Sequence, residues 1–184
     1  MGYTVTRSQS GPKRGFVMKI SSYLIGALVT IATLTPLASA QAVSVSPELK
    51  SQLIYLVQEE KLARDVYTTL YAVTGVRQFN NISSSEQTHM TLVQNLLKTY
   101  GIADPTIGLA PGSFKDSSLT ALYKKLVSSG KASTSAALAA GVAIEKKDIA
   151  DINTMLKATT PSDVTSALQR LLSGSKNHLA AFTR

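Results

Sequence analysis

FNNISSSEQTHMTLVQNLLKTY, residues 79–100, places Phe79, Ile82, Glu86, His89, Val93, Leu96 and Tyr100 at steps of three and four. That spacing aligns side chains along one stripe of an α-helix, and such a stripe is expected to face a core. Its middle carries a carboxylate and an imidazole, Glu86 and His89, neighbours about one turn apart on the same face. Two groups of metal-ligand type stand where leucines are expected.

The interruption recurs on three other segments. Glu60 sits at the centre of the stripe Leu49, Leu53, Leu56, Ala63, Tyr67 and Leu70. Glu145 and Asp148 interrupt Leu138, Gly141, Ile152 and Met155, and His178 lies towards the end of Val164, Leu168, Leu171, Ser175 and Phe182. Four long helices therefore offer four carboxylates and two imidazoles inward. Glu59 points about 100° away from Glu60 around its helix, and periodicity alone leaves the choice between them open. Glu59, Asp65 and Asp151 fall off the stripes and read as outward acids.

Boundary signals support an all-α chain. Ser46 and Pro47 form a cap and first helical position, and Gly75 offers a left-handed stop near Thr74. The short link at Val76 and Arg77 makes the second helix return antiparallel to the first. Ser83-x-x-Glu86 is a rival start for it, but would discard the in-phase Phe79 and Ile82; Gly101 closes this helix. Residues 101–132 then form a connection far longer than adjacent antiparallel helices need. It holds the turn signals Asp104-Pro105 and Pro111-Gly112 and a short amphipathic helix between Ser117 and Ser129, and it suits a crossover from one end of a bundle to the other. The third long helix begins near Ser133 and runs to about Ala158, with Gly141 marking a close backbone approach. The fourth starts with Thr160 as cap and Pro161 as first position, and Gly174 is a candidate bend before His178.

The 184 residues are 44% hydrophobic but only 6% aromatic, one domain's worth of aliphatic packing. Residues 1–40 read as a signal peptide, with Met18 as an alternative start of a compact leader. Arg7, Lys13, Arg14 and Lys19 precede an apolar run from Ile20 to Leu37 and the small-x-small exit Ala38-Ser39-Ala40. An uncleaved anchor competes, since the run approaches the ~20 residues that span a bilayer. The Ser, Thr, Gly and Pro in the run favour cleavage, which makes the domain over residues 41–184 secreted, periplasmic or part of the cell envelope, with no membrane contact afterwards. Absence of cysteine excludes a lipid-anchored lipoprotein, disulfides and thiolate metal sites. The leader holds four of the 19 basic residues and none of the 11 acidic ones, so the net charge falls from +8 to +4 without it. A nucleic-acid partner loses its support, and Lys124, Lys125, Lys146 and Lys147 read as solvated helix faces.

A lone buried histidine is usually a satisfied core residue, but here that explanation must hold for six polar groups in register. Burying an unpaired carboxylate costs on the order of several kcal/mol, and clustering four adds like-charge repulsion. Two divalent cations resolve the conflict by setting four positive charges against four carboxylates.

Glu86-x-x-His89, with Glu60-x-x-Ala63-Arg64-x-x-Tyr67 on the preceding helix, resembles the rubrerythrin and bacterioferritin branch of the ferritin-like superfamily. The segment from Glu59 to Phe182, with Ser85-Glu86-Gln87-Thr88-His89, Ile144-Glu145, Asp148-Ile149 and Asn177-His178-Leu179, is similar to a ferritin-like domain-of-unknown-function family of secreted prokaryotic proteins. The resemblance implies a four-helix bundle whose long crossover, carrying the short extra helix, joins helices two and three. It favours Glu60 over Glu59 and implies a dinuclear centre held by Glu60, Glu86, His89, Glu145 and His178. One departure matters: Ser175 stands where the superfamily has a second Glu on the last helix, and Asp148 is the candidate substitute. Without it only one metal would bind firmly. Tyr67 is either a core residue or a hydrogen-bond partner of a ligand. Oxygen and nitrogen donors leave iron, manganese and zinc open. Ferroxidase, peroxidase or oxidase chemistry is what the resemblance implies, a homodimer is compatible with it, and a cell-envelope helical binding module without redox catalysis is the rival.

N-terminal sequencing of protein recovered outside the cytoplasm is expected to find a start near Ala40, cleavage after Ala42 fitting nearly as well. A mature membrane-bound chain still carrying Met18 would contradict the leader assignment.

Overall fold

The computed structural model describes residues 45–158 and 160–184, so the leader lies outside the described residues. The described residues fold into five helices without a strand: α1 Pro47–Thr74, α2 Arg77–Thr99, α3 Ser117–Gly130, α4 Thr134–Met155 and α5 Ser162–Phe182. None of these helices is long and apolar enough to cross a membrane.

Local chemistry accounts for most of the ends. Ser46 Oγ accepts the Leu49 N–H at 3.1 Å, and Gly75, at φ 67°, closes α1 by donating its N–H to the Tyr71 carbonyl. α2 starts at Arg77 without a side-chain cap, and Ser83 Oγ donates to the Asn80 carbonyl inside the helix, so the capping-box start is not used. Asp116 and Ser133 cap α3 and α4. α4 stops at Met155, three residues before the expected end, and Pro161 is the cap of α5 instead of its first position. Gly174 does not break α5, and the close neighbour of Gly141 is the Phe182 ring, not another backbone.

α1 packs against α2, α3 and α4, while α5 packs against α2 and α4. The apolar core is divided in two. One cluster joins Leu53, Leu56, Val93, Leu97, Ile152 and Leu168; the other joins Val66, Tyr67, Phe79, Leu119, Ile144 and Phe182. Glu60, Glu86, His89, Glu145, Asp148, Ser175 and His178 are buried and occupy sequence positions between the two sets on every long helix. Two dry clusters thus enclose a layer of ionisable groups.

Two acids read as outward-facing are buried. Glu59 and Asp65 are only 5% and 3% exposed, because α1 is covered by α3 and α4 as well as by α2. Asp65 accepts from Lys61 Nζ at 2.5 Å, from Arg64 Nη2 at 2.8 Å and from the Gly112 N–H at 2.9 Å. Lys61, 1% exposed, also donates to the Ala110 carbonyl at 2.9 Å and lies 4.7 Å from the Phe114 ring centroid. Gln58 Oε1 accepts the Lys115 and Asp116 N–H groups. These polar side chains of α1 tie down the segment that leads into α3.

Asp65→Ala is expected to cost about 3–5 kcal/mol, since it leaves the Lys61 ammonium buried without its counter-ion. Urea denaturation measures the loss, and a cost below about 1 kcal/mol would show that the pair does not anchor the segment.

Candidate metal centre

Each long helix contributes to the ionisable layer at the position where its apolar stripe is interrupted. Glu86 of α2 is central. Its Oε2 lies 2.9 Å from His89 Nδ1, and its Oε1 lies 2.8 Å from His178 Nδ1 of α5. Glu60 Oε2 of α1 approaches the same nitrogen of His89 at 3.4 Å, and Glu145 Oε1 of α4 approaches that of His178 at 3.6 Å. The two imidazoles stack with centroids 5.2 Å apart and an interplanar angle of 29°. Glu86, His89 and His178 offer ligand atoms within 4.8 Å of one another. Asp148 stands beside this row, held by the Ser175 hydroxyl, which donates to its Oδ2.

Glu86 Oε1 and the two Nδ1 atoms are buried and paired by charge at 2.8 and 2.9 Å, whereas Glu60 Oε1 and Asp148 Oδ1 are buried with no hydrogen-bond partner among the described residues. Buried polar atoms are normally satisfied, because each orphan costs about 1–3 kcal/mol or more. Two orphaned carboxylate oxygens beside a buried Glu/His/His group are what a bound cation would satisfy. The outer atoms are satisfied, by contrast. Tyr67 donates to Glu145 Oε1 at 2.6 Å, and His178 Nε2 meets Ser85 Oγ at 2.9 Å. Ser85 fixes the ring of His178 while its Nδ1 faces the carboxylates.

Burial and the neighbouring charges set the protonation of each member of the layer. Burial opposes ionisation of Glu86, but the contacts with His178 and His89 outweigh it and hold this carboxyl down at about 2. Burial likewise disfavours charged imidazoles, yet Glu60 and Glu86 lift His89 to about 10, and Glu145 and Glu86 lift His178 to about 9. Burial raises Glu145 to about 7 and Asp148 to about 6, and it pushes Glu60 well above the ordinary carboxylate range. Protons occupy the layer where cations would otherwise balance it.

All six residues expected as ligands lie in this layer, Glu60 among them, whereas Glu59 accepts from Lys147 Nζ at 2.5 Å. Ser175, on the buried stripe of α5, donates to Asp148 and orients it. Three contributors were not assigned from the sequence. Tyr67 was left between two roles and binds Glu145; Ser85 carried no signal beyond adjacency to Glu86. Gly174 was a candidate bend, yet it makes room for His89: a Cβ there would lie 2.3 Å from Nε2 and 2.5 Å from Cε1. A mid-helix glycine costs about 1 kcal/mol relative to alanine, which is the signal that a packing reason exists.

The sequence pattern described as "Uncharacterized protein domain (DUF2202)" matches residues 49–184. The chain is 44% identical over 140 residues to uncharacterized protein MJ0754 of Methanocaldococcus jannaschii, and the match covers 76% of each chain. The crystal structure of hypothetical protein MJ0754 superposes with a TM-score of 0.74 at 43% identity, covering 79% of this chain and 83% of that one.

Gly174→Ala is expected to favour the helix and yet weaken metal binding, because the His89 ring must move. A loss of about 10–100-fold in Co(II) affinity, the range for disturbed ligand support, with unchanged helical circular dichroism is the expected result. Unchanged affinity would mean the ring has other room.

Proposed function

The chain belongs to the DUF2202 family, and on that premise we propose that it is an exported ferritin-like protein whose four long helices hold a pair of divalent transition-metal ions. The observation that carries this reading is the buried group Glu86, His89 and His178, whose ligand atoms lie within 4.8 Å of one another, with Glu60 Oε1 and Asp148 Oδ1 unpartnered beside it. The topology supports it. α1, α2, α5 and α4 touch in cyclic order, and residues 100–133 with α3 form the long crossover between the second and third members. Export rests on the basic, apolar and small-residue leader.

The donor set fits the group. Glu60, Glu86 and His89 would hold one ion, and Glu86, Glu145 and His178 the other, with Asp148 as a further carboxylate. Oxygen and imidazole donors without sulfur suit iron, manganese or zinc. Iron or manganese held there supplies one-electron redox chemistry, and an oxidoreductase acting on Fe(II), peroxide or oxygen is the reaction class we propose. The chain's own part is to exclude water behind two apolar clusters and orient the ligands. Tyr67 keeps its O–H on Glu145, and Ser85 and Ser175 fix His178 and Asp148.

Binding must displace the protons that the metal-free layer holds. His89 and His178, at about 10 and about 9, are protonated at neutral pH and must lose a proton to ligate. Apparent affinity is therefore expected to rise with pH between about 6 and 8, tenfold per pH unit for each proton released and roughly 100-fold for two. Titration of the metal-free protein with Mn(II) or anaerobic Fe(II) at several pH values measures the slope, and metal analysis is expected to find two ions per chain. Fe(II) oxidation and peroxide consumption test the redox step. A melting temperature indifferent to chelator and metal, with no ion bound, would favour the helical binding module.

A further inference from the structure

We propose that the seam between α1 and α4 is the route by which hydrated divalent cations reach the centre, and that Lys147 is its gate. This rests on the metal-centre reading above and adds what that reading lacks, a way in. The centre is enclosed: Glu60, Glu86 and Glu145 are at most 2% exposed.

Two cavities flank one side chain. An open groove of about 410 Å³ runs along α1 and α4 past Tyr55, Glu59 and Asp151. A small cavity of about 60 Å³, walled mostly by apolar side chains such as Leu62 and Ile144, also takes in Glu59, Lys147 and the centre's own Glu86, Glu145 and Asp148. Glu59 belongs to both. On the inner side, Asp148 Oδ1 is buried without a hydrogen-bond partner. The interior space therefore ends beside the centre's own carboxylates, the terminus a cation path requires.

A cation already occupies the boundary. Lys147 Nζ sits 2.5 Å from both Glu59 Oε1 and Asp151 Oδ2, with the Tyr55 ring centroid 5.0 Å away. Glu59 is buried, whereas the Lys147 and Asp151 side chains are 35% and 39% exposed. One ammonium thus spans an inner and an outer carboxylate on a flexible four-carbon stem that can swing into solvent. A divalent ion competes for the same two oxygens with twice the charge. Once Lys147 yields, Asp151, Glu59 and Asp148 form a descending series of oxygen donors from surface to centre. The groove along α2 and α5 also reaches His89, but it holds no carboxylate, and its Arg170 and the protonated His89 both repel cations.

Stopped-flow mixing of the metal-free protein with Co(II), read by its visible absorption, tests the route. Lys147→Gln is expected to accelerate uptake on the order of tenfold, as removing a like charge from a focusing path does. Glu59→Gln and Asp151→Asn are expected to slow it by a similar factor, and Lys147→Arg to keep the parent rate. Equilibrium affinity should change far less than the rates, since none of these residues is assigned to the centre. If Lys147→Gln fails to fold, the two carboxamide variants decide. Equal rates across the set would overturn the route, as would acceleration by Arg170→Gln in place of Lys147→Gln. A parent protein that takes up no Co(II) would overturn the metal-centre reading and the route with it, whereas uptake at one unchanged rate overturns the route alone.

Discussion

A carboxylate at the centre of a helical core, Glu86 between His89 and His178, is the interaction to which the rest of this molecule is fitted. Ionising it inside protein is unfavourable unless opposite charge is adjacent. Two imidazoles from different helices supply that charge at 2.8 and 2.9 Å, and two further carboxylates back the imidazoles. The chain of alternating sign runs Glu60, His89, Glu86, His178, Glu145 and ends on the neutral Tyr67 hydroxyl. Its Tyr67 end is closed by a hydrogen bond, whereas Glu60 Oε1 at the other end has no partner.

The fourth carboxylate is placed by two helices. Ser175 of α5 shares its single hydroxyl proton between Asp148 Oδ2 and the Leu171 carbonyl one turn back. The acid therefore comes from α4 while α5 still aims it. The same division of labour holds for His178, which α5 carries and Ser85 of α2 orients. Placement is shared across helices, so the centre depends on their register.

Most of the architecture was legible because each long helix buries a regular stripe, and periodicity reads stripes well. The four interruptions at Glu60, Glu86/His89, Glu145/Asp148 and His178 fell on those stripes, and all of them meet. What periodicity misread were the other faces of α1. A helix with three neighbours is covered on more than one side, so Glu59, Lys61 and Asp65 are buried although they lie off the stripe. Nothing local announces this, because it follows from where α3 settles, and α3 is placed by a connection with weak pattern. Gly174 and Ser85 were hidden for a related reason: their roles lie in contacts across helices, towards His89 and His178, and single-helix spacing cannot see across a gap.

The division of the apolar core also bears on how the molecule holds together in time. A polar layer between two dry clusters interrupts the contiguous packing that usually makes a bundle open as one unit. Each cluster gathers one end of every long helix, so cooperation between the halves must pass through the backbones of α1, α2, α4 and α5 and through the charge row they carry. Filling that row with ions would couple the two ends into one mechanical body. With protons alone, one end can breathe while the other stays shut, and amide exchange along α1, whose 28 residues cross both halves, would then differ on the two sides of Glu60.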